Sequence, residues 1–553
     1  MYRNDKDYID VDCEELNDGG SDSVLNEVVL KKLEEPEVDR PSIPVHGKVE
    51  GILNYSAMLA GRLCERTGRV FRYPGGGAVE VDEGKTAGLR ELTQPRLIIL
   101  LELLARPVSV EEVKGQLIAT PKICPAGFAK LILQHDAFLN ELREIKVTSK
   151  GPLLVQDEDS LKVVCGGQCV NGFYAAGDPP DIPEHIDEAV ERILEPFRDF
   201  VFFTECDKSR AIAGMLLPLL VLGGLMDGRA PALLAEADKS QAGKGFMFKI
   251  IRAVYGQAAT IVNSSQGSVG SLAEAIDTAL VSKKPMVQID NMRGNVDSQK
   301  VESVLTETNY SARRAYSQAI EVDPSHTVFM ITTNSMSMTE DLSNRILPIR
   351  IRKRDMGKSF HKYPEGNILQ HVTANQPRYL GAVMKLVMVW DERSRPFNEE
   401  ARTKHNMREF AGIAEWLVHD LMGLPSVFGG IEEIRVRLFS PELSWLRDVG
   451  MTVFATERVG QALAAKEVLE LLEEEGRYDL QPGVKEHESI DNESCMKRTL
   501  QAFGRKVGRL FRKADQVLVE GIRVVKTMEK RSRPDGNGRR ETACYRFESE
   551  KAA

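Results

Sequence analysis

Residues 232–245 read ALLAEADKSQAGKG, and this is the most informative segment of the 553-residue chain. A short apolar run leads into a loop that ends in Gly243-Lys244, and the helix-like run GFMFKIIRAVY follows. A strand, a Gly-Lys loop and a helix in this order are typical of a phosphate-binding loop, because amides at the start of a helix donate to phosphate oxygens. The segment therefore predicts an ATP site in which Lys244 reaches the β- and γ-phosphates.

The loop departs from the usual phosphate-binding pattern at two positions. Asp238 stands where a glycine usually opens the loop, so the turn is built differently. Gly245 stands where serine or threonine usually supplies a hydroxyl ligand to Mg²⁺. A Gly-Lys pair is common in loops, so this segment alone does not establish ATP binding. The predicted nucleotide-binding residues are Asp238, Lys239, Ser240, Gln241, Ala242, Gly243, Lys244 and Gly245.

Three polar residues at the ends of later segments extend the prediction. Asp290 ends the apolar run PMVQID, where a carboxylate can hold Mg²⁺ beside the phosphates. Asn334 ends HTVFMITTN, where an amide can orient the attacking water, and Arg345 ends TEDLSNR, where an arginine can enter a neighbouring subunit's site. Each residue alone has a structural alternative: a strand-end cap, a turn residue or a solvated charge. Because all elements occur in the expected order, the predicted catalytic residues are Lys244, Asp290, Asn334 and Arg345, with Asp290 as the metal ligand.

Short apolar runs alternate with helix-like segments over residues 230–356. The runs are ALLAEA, ATIVN, PMVQID, HTVFMITTN and ILPIRI. Buried strands that alternate with helices imply a parallel sheet covered on both faces. The sequence therefore predicts an α/β fold with a parallel five-stranded sheet.

The segments ADKSQAGKG, MVQIDN, TTNSMSMTEDLSNR and LPIRIR resemble the AAA+ replicative helicases of phages, plasmids and integrated mobile elements. These proteins are related to superfamily 3 and to minichromosome-maintenance-like ATPases, and the resemblance is clearest over residues 185–356. It implies an AAA+ core in a homo-hexameric ring that hydrolyses ATP with Mg²⁺ between subunits and draws single-stranded DNA through its channel.

The same resemblance assigns a role to each matching residue. Lys244 matches the Walker-A lysine, Asp290 the Walker-B carboxylate, Asn334 sensor 1 and Arg345 the arginine finger. The glutamate that commonly follows the Walker-B aspartate is Asn291 here. The base that activates water is therefore unassigned, and the following helix offers Glu302 and Glu307 as candidates.

Changes in composition along the chain predict five regions. Residues 1–40 carry 13 acidic and 5 basic side chains without periodicity, which is typical of a mobile tail. The predicted regions are an acidic flexible tail at 1–48, an N-terminal α/β accessory domain at 49–180, the AAA+ ATPase core at 181–360, a helical lid or linker at 361–484, and a winged-helix DNA-binding domain at 485–553.

Two basic segments predict contacts with DNA. Residues 309–316, NYSARRAY, lie where the resembled rings carry a channel hairpin, and their arginines and tyrosines suit phosphates and bases. Residues 497–540 hold 14 basic and 4 acidic side chains, which suits a helix and wing on duplex DNA. The alternatives are an ordinary charged hairpin and a charged face that docks protein. The predicted DNA-binding residues are Arg313, Arg314, Arg505, Lys506, Arg509, Arg512, Arg531 and Arg533.

The whole-chain composition excludes several classes of protein. A net charge of −9 argues against a uniformly basic nucleic-acid binder, and 42% hydrophobic with 28% charged residues is typical of a globular protein. Among 8 cysteines only Cys165 and Cys169 are close in sequence, which predicts reduced thiols in a cytoplasmic protein. The apolar stretch Ala211–Leu225 is shorter than the roughly 20 residues that a membrane-spanning helix needs.

These observations predict an ATP-dependent DNA helicase or translocase that acts in replication initiation of a mobile genetic element. The alternative is a nucleotide-gated DNA-binding regulatory protein with a degenerate loop and little hydrolysis, which Asp238, Gly245 and Asn291 favour. A protein-remodelling ATPase is a third class, and it would need no basic winged helix.

Overall fold

The protein is described by a computed structural model. The described residues are 40–47, 51–73, 76–81, 88–113, 116–237, 241–263, 271–296, 298–313, 319–354, 359–482, 493–512, 514–519, 522–532 and 539–549. They form two compact units. The second unit contains the described residues of 430–553 together with those of 293–297 and 336–344, and the first unit contains the others.

The N-terminal region of the first unit combines short strands with a small helical core. Its elements are β1 (Ser42–Gly47), α1 (Ile52–Arg66), β2 (Val70–Arg72), β3 (Ala78–Val81), β4 (Leu89–Glu91), α2 (Gln94–Leu104), β5 (Arg106–Val113), β6 (Gln116–Pro121), α3 (Ala126–Gln134), α4 (Asp136–Leu139), β7 (Val147–Ser149), β8 (Leu153–Asp157), β9 (Ser160–Val164), β10 (Gln168–Val170) and β11 (Phe173–Ala175). α2 ends at Leu104, shortly before Pro107, because the residue before a proline avoids helical backbone. Buried aliphatic side chains of α1, α2 and α3, including Leu101 and Ile132, form the core of this region.

A six-stranded sheet with flanking helices forms the centre of the first unit. The elements of this region, in chain order, are α5 (Ile186–Leu194), β12 (Val201–Phe202), α6 (Glu205–Leu222), β13 (Ala232–Ala237), α7 (Lys244–Val254), β14 (Thr260–Asn263), α8 (Leu272–Val281), β15 (Met286–Val296), α9 (Gln299–Thr306), β16 (Tyr310–Ala312), β17 (Ile320–Val322), β18 (Val328–Met338), α10 (Glu340–Ser343) and β19 (Ile346–Arg352). Of these, α10 and the last residues of β15 and β18 belong to the second unit. The strand order is β12-β19-β13-β18-β15-β14. β13 pairs in parallel with β18 and β19, β14 pairs in parallel with β15, and β12 pairs antiparallel with β19.

All five apolar runs singled out in the sequence lie in this sheet, as β13, β14, β15, β18 and β19. The predicted count of five strands is wrong by one, because β12 adds an antiparallel edge strand. A strand of two residues is too short to leave a periodic pattern in the sequence. All six residues of β13 are buried, which explains why this central strand reads as a continuous apolar run.

The apolar stretch that begins at Ala211 belongs to α6, a buried helix that contacts β19. Thr204 caps α6, accepting from the Asp207 amide while the Asp207 side chain accepts from the Thr204 amide. Nowhere in the described part of the chain does a helix have the length and apolar character needed to cross a membrane.

A helical region completes the first unit. Its elements are α11 (Ile368–Ala374), α12 (Gln376–Glu392), α13 (Glu399–Thr403) and α14 (Arg408–Glu415), which continues into a π-helical turn at Trp416–Leu421. α12 packs against α5 and α7, and buried Trp390 and Tyr379 anchor it.

The second unit packs helices against a four-stranded antiparallel sheet. Its later elements are α15 (Ile431–Phe439), α16 (Pro441–Phe454), β20 (Ala462–Ala464), α17 (Ala465–Glu474), α18 (Glu493–Leu510), β21 (Gln516–Val519), β22 (Ile522–Ser532) and β23 (Arg539–Ser549). The strand order is β20-β23-β22-β21. The run QVLVEGIRVVKTM contains the two paired strands β21 and β22. Trp445, Phe503 and Tyr545 lie in the core of this unit.

Candidate functional site

Residues 241–245, the described part of the predicted phosphate-binding loop, join β13 to α7 at the carboxyl edge of the sheet. Gly243 has a φ of 100°, a left-handed conformation that favours glycine. A Cβ added there would also lie 3.3 Å from Cε1 of Phe200. α7 begins at Lys244 without a side-chain cap at Gly243, so its first amides can donate to an anion. Three predicted loop residues, Asp238, Lys239 and Ser240, lie outside the described residues.

A chain of hydrogen bonds links α7 to Asp290. Arg252 on α7 donates from Nη1 to Oε1 of Gln288 at 3.0 Å, and Nε2 of Gln288 donates to Oδ1 of Asp290 at 3.3 Å. Side chains alternate along a strand, so Gln288 and Asp290 share one face of β15, and α7 covers that face. Lys244 precedes Arg252 by about 12 Å of helix, toward the carboxyl edge where Asp290 lies. The structure therefore places Lys244 and Asp290 at the same edge and on the same face of the sheet.

The Asp290 carboxylate is held by the neighbouring strand. Thr332 on β18 donates from Oγ1 to Oδ1 of Asp290 at 2.6 Å and accepts from the amide of Asn291 at 2.8 Å. Within the described residues, both hydrogen bonds to this carboxylate reach Oδ1, so Oδ2 is the oxygen suited to a cation.

The donor set at Asp290 fits Mg²⁺ that is bound mainly through phosphate. The described residues contain no group of three or more His, Cys, Asp or Glu side chains that would form an all-protein metal cage. Mg²⁺ usually takes one or two carboxylates together with phosphate oxygens and water. A single, rigidly held carboxylate beside the loop matches that requirement.

Asn334 and Arg345 take different positions in the sheet. Asn334 lies in β18, two residues beyond Thr332, but its side chain is outside the described part of the structure. Arg345 immediately precedes β19, and its carbonyl accepts from the amide of Ala232 at 3.1 Å. Ala232 is the first residue of β13, so Arg345 lies at the amino edge of the sheet, roughly 20 Å of strand away from the loop. Its Nη1 donates to the carbonyl of Glu302 at 3.4 Å.

The position usually held by a catalytic glutamate is unusual. Asn291 adopts a φ of 55°, which is uncommon for a residue other than glycine. Of the candidate bases, Glu307 directly follows the last turn of α9. The carbonyls of Val304 and Leu305 in that turn accept hydrogen bonds from Arg229. Arg229 precedes β13, so α9 ends at the amino edge, and Glu307 is wrong as the base within its own subunit.

The hairpin predicted to face a channel is present as β16 and β17, which pair antiparallel between β15 and β18 in the sequence. The side chain of Arg313, just beyond β16, is exposed, and Arg314 lies outside the described residues. Tyr310 is buried and donates from its hydroxyl to Oδ1 of Asp277 at 2.8 Å. The predicted stacking of Tyr310 on DNA bases is therefore wrong, because its ring belongs to the hairpin's base.

The basic C-terminal helix exposes part of its charge. Arg505, Arg509 and Arg512 are exposed on or just after α18, as are Lys497 and Arg498 earlier on the helix. Arg509 also pairs with Glu442 at 3.2 Å, although 69% of its side chain is exposed. Arg533 lies outside the described residues.

Two predicted DNA contacts are committed to partners within the protein. Lys506 lies 4.5 Å from the ring centroid of Trp445, and burial lowers the pKa of its ammonium group while the charge of Glu442 opposes that shift. Arg531 pairs with Glu467 at 2.5 Å and with Glu529 at 3.2 Å. Contact of Lys506 and Arg531 with DNA stays a prediction, and both side chains already have partners within the protein.

Several residues of the candidate nucleotide site were not predicted from the sequence. Arg252, Gln288 and Thr332 build the network around Asp290, and the Phe200 ring packs against Gly243. The polar pair Gln288-x-Asp290 in an otherwise apolar strand was the available signal, since alternate residues share a face. Arg252 gave no comparable signal, because an arginine on a helix usually reaches solvent.

No protein-family model and no curated protein matches the chain. Solved structures similar to it include helicases. The active helicase of SCCmec type IV Cch is 10% identical, with 88% of this chain and 93% of that chain covered and a TM-score of 0.35. The apo C-terminal region of NrS-1 is 11% identical, with 86% and 95% covered and a TM-score of 0.33. JCV helicase, bound to a small molecule, is 9% identical, with 46% and 72% covered and a TM-score of 0.21. Scores of this size establish no function for this chain.

Proposed function

We propose that this chain is an ATP-dependent DNA translocase of the helicase type, in which ATP is hydrolysed between adjacent subunits of a ring. The observation that carries the proposal is the hydrogen-bonded path Arg252–Gln288–Asp290, which fixes the loop helix and the strand carboxylate on one face of the sheet. That arrangement is what a Mg-ATP site requires.

Each group in the site has a distinct task under this proposal. The amides at the start of α7 and the ammonium of Lys244 would hold the phosphates, and Asn334 would orient the attacking water. Asp290 would hold Mg²⁺ through Oδ2, and the metal supplies positive charge that stabilises the phosphate oxygens. Thr332 and Gln288 keep the carboxylate in place, so it needs little reorganisation when the nucleotide binds.

Arg345 supports a site shared between subunits. It lies at the amino edge of the sheet, whereas the loop lies at the carboxyl edge, so Arg345 cannot serve the phosphates of its own chain. An arginine supplied by a neighbour stabilises the transition state and is worth about 10³–10⁵ in rate in other nucleotide hydrolases. The proposal therefore includes an assembly of several copies of the chain, and a homo-hexameric ring belongs to it through the sequence resemblance.

The decisive experiment mixes two inactive variants, Lys244→Ala and Arg345→Ala. In a 1:1 mixture of ring-forming subunits, about a quarter of the interfaces combine an intact lysine with an intact arginine from the neighbour. We expect each variant alone to release no phosphate above background and the mixture to recover up to that fraction of the wild-type rate. A mixture that stays inactive, while native mass measurements show mixed rings, would contradict hydrolysis between subunits.

The DNA-binding part of the proposal involves two surfaces. The hairpin β16–β17, with Arg313, would contact single-stranded DNA in the channel. The second unit has the element order of a winged helix in α16, β20, α17, α18 and the strands β21 to β23, and the exposed arginines of α18 would bind duplex DNA. Action in replication initiation of a mobile genetic element, in the cytoplasm, belongs to the proposal through the sequence resemblance.

A second candidate function is a nucleotide-gated DNA-binding regulator with little hydrolysis. The left-handed Asn291 at the usual glutamate position and the missing hydroxyl at Gly245 favour it. Nucleotide-dependent DNA affinity without phosphate release, in the wild-type protein, would select this function over the translocase.

A further inference from the structure

A buried carboxylate beneath the β16–β17 hairpin joins three elements. Asp277 on α8 has a side chain that is 3% exposed, and its Oδ2 pairs with Nζ of Lys300 on α9 at 2.6 Å. Its Oδ1 accepts from the hydroxyl of Tyr310 on β16 at 2.8 Å, and Oδ2 accepts from the amide of Arg313 at 3.0 Å. Lys300 also lies 5.3 Å from the ring centroid of Tyr310.

This node is a costly way to hold a hairpin if stability alone is considered. An ion pair with a buried member is often no more stabilising than apolar residues of the same volume, because the buried charge must leave water; here Asp277 is the buried member and Lys300 is 28% exposed. The hairpin base is already packed through the apolar residues Ala312 and Val322, which are buried. The charged contacts of Asp277 therefore orient the hairpin relative to α9 more than they stabilise it.

The position of α9 in the chain connects the orientation of the hairpin to β15. α9 follows β15 directly, and Lys300 is ten residues beyond Asp290 in the chain. A displacement of β15 at the proposed nucleotide site would therefore move Lys300, which the chain joins to β15. Lys300 pairs with Asp277, and Asp277 holds Tyr310 and the backbone of Arg313, the exposed arginine of the hairpin.

We propose that Asp277 is a positioning residue that couples the hairpin to the nucleotide site, so that single-stranded DNA on the hairpin accelerates ATP hydrolysis. The inference rests on the proposed function. Tyr310 and Lys300 are the two arms of the coupling: Tyr310 ties the hairpin to Asp277, and Lys300 ties α9 to it. The burial of Tyr310 and its bond to Asp277 raise the pKa of its phenol, so it remains a donor across the working pH range.

The test compares four variants of the full-length protein: Tyr310→Phe, Lys300→Met, Lys300→Arg and Tyr255→Phe. Tyr255→Phe is the matched control, because Tyr255 is also buried and its hydroxyl also donates one hydrogen bond, to the carbonyl of Met215 at 2.6 Å. Phosphate release from Mg-ATP is measured with and without a 30-nucleotide poly(dT) strand, and thermal unfolding is measured for each variant.

We expect Tyr310→Phe and Lys300→Met to lose about threefold to tenfold of the DNA stimulation, while their rate without DNA stays within about twofold of wild type. Lys300→Arg, which keeps the charge, and Tyr255→Phe should keep the wild-type stimulation. The control matters because Tyr255→Phe loses a comparable hydrogen bond, so lowered stability alone cannot produce the expected pattern.

The outcomes separate this inference from the proposed function. Tyr310→Phe and Lys300→Met proteins with wild-type stimulation would overturn the coupling role of Asp277 and leave the translocase proposal intact. Equal loss of stimulation in Tyr255→Phe would also overturn it, since a general stability effect would then explain the result. A wild-type protein that DNA does not stimulate would overturn the translocase proposal and this inference with it.

Discussion

The carboxyl edge of the six-stranded sheet and the exposed side of α18 hold their charged groups in opposite ways. At the sheet edge, Asp290 is fixed by hydrogen bonds from Thr332 and Gln288, and Gln288 is fixed in turn by buried Arg252. On α18, Arg505 and Arg512 are exposed to solvent. Fixed groups suit chemistry that depends on sub-ångström geometry, whereas mobile surface cations suit phosphate contacts that depend on the number of charges. Substitutions in the two regions should therefore fail in different ways.

The largest effect is expected at Lys244. Under the proposed function, Lys244→Ala removes a charge that would contact the transferred phosphate, and we expect the rate of phosphate release to fall by about a thousandfold. A substitution at the next residue, Gly245→Ser, should have the opposite effect, because it introduces the hydroxyl that usually ligates Mg²⁺. Nothing lies within 4 Å of a Cβ added at Gly245, so serine fits there. We expect Gly245→Ser to be active at lower Mg²⁺ concentrations than wild type. If Lys244→Ala kept the wild-type rate, the carboxyl edge of the sheet would not be the catalytic site.

The sequence predicted the sheet edge better than the surface of α18, for a physical reason. Parallel strands bring their carboxyl ends to one edge, so five apolar runs and their terminal polar residues were enough to place Asp290 beside the loop. The contacts of a side chain on α18 depend on its angle around the helix and on neighbours distant in sequence. Lys506 lies over the ring of Trp445, and Arg531 pairs with Glu467. Neither partner can be inferred from a count of charges.

Other features escaped prediction because they leave short or no local patterns. The edge strand β12 has only two residues, and the role of Asp277 depends on three elements that meet only in the folded protein. β21 and β22 both lie in QVLVEGIRVVKTM, a single strand-like run in the sequence. Positions of strands were therefore predictable, whereas pairing of buried charges was not.

The second prediction concerns the buried ion network at the end of β19. Asp207 is fully buried, and it accepts from Nη2 of Arg210 at 2.8 Å and from Nη2 of Arg350 at 3.2 Å. Asp207→Asn would leave Arg210 buried without a countercharge, so we expect a loss of about 3 kcal/mol of unfolding free energy at pH 7, measured by chemical denaturation. Glu400→Gln, which removes an exposed partner of Lys404, is the control, and its unfolding free energy should stay close to that of the wild type.

The same network predicts a pH dependence. Burial alone would raise the pKa of Asp207, but Arg210 and Arg350 outweigh it and hold that pKa below the usual value. A carboxyl group with a lowered folded-state pKa stabilises the protein above its unfolded pKa of about 3.9 and loses that contribution as the pH falls further. The gap in stability between wild type and Asp207→Asn should therefore be constant from pH 7 to pH 5 and shrink below about pH 4. A gap that narrows already near pH 6 would contradict the assignment.

The third prediction reverses the logic for α18. The triple variant Arg505→Ala, Arg509→Ala and Arg512→Ala should weaken duplex binding by about 10-fold to 100-fold at 0.1 M salt and reduce the slope of log affinity against log salt by about 3. Its thermal stability should hardly change, since these side chains are exposed. Fluorescence anisotropy over a series of salt concentrations measures both quantities.

The control for the third prediction replaces Lys506 and Arg531, the two cations that have partners within the protein. The double variant Lys506→Ala and Arg531→Ala should leave the salt slope nearly unchanged but lower the stability of the second unit by up to about 1 kcal/mol, because the partly exposed Glu467 and Glu529 lose a charged partner. The decrease in salt slope per substituted residue can be compared between the two variants. An equal decrease per residue would show that Lys506 and Arg531 also contact DNA.

The smallest expected effect comes from one substitution made in both regions, glycine to alanine. At Gly504, inside α18, nothing lies within 4 Å of an added Cβ, so Gly504→Ala should raise the free energy of unfolding by about 0.5–1 kcal/mol by restricting the unfolded chain. At Gly243 the φ of 100° and the ring of Phe200 oppose a side chain, so Gly243→Ala should lower it by at least about 1 kcal/mol. Thermal unfolding of the two variants measures the difference in sign. Equal signs would show that the loop and the helix surface do not differ in rigidity as their geometry indicates.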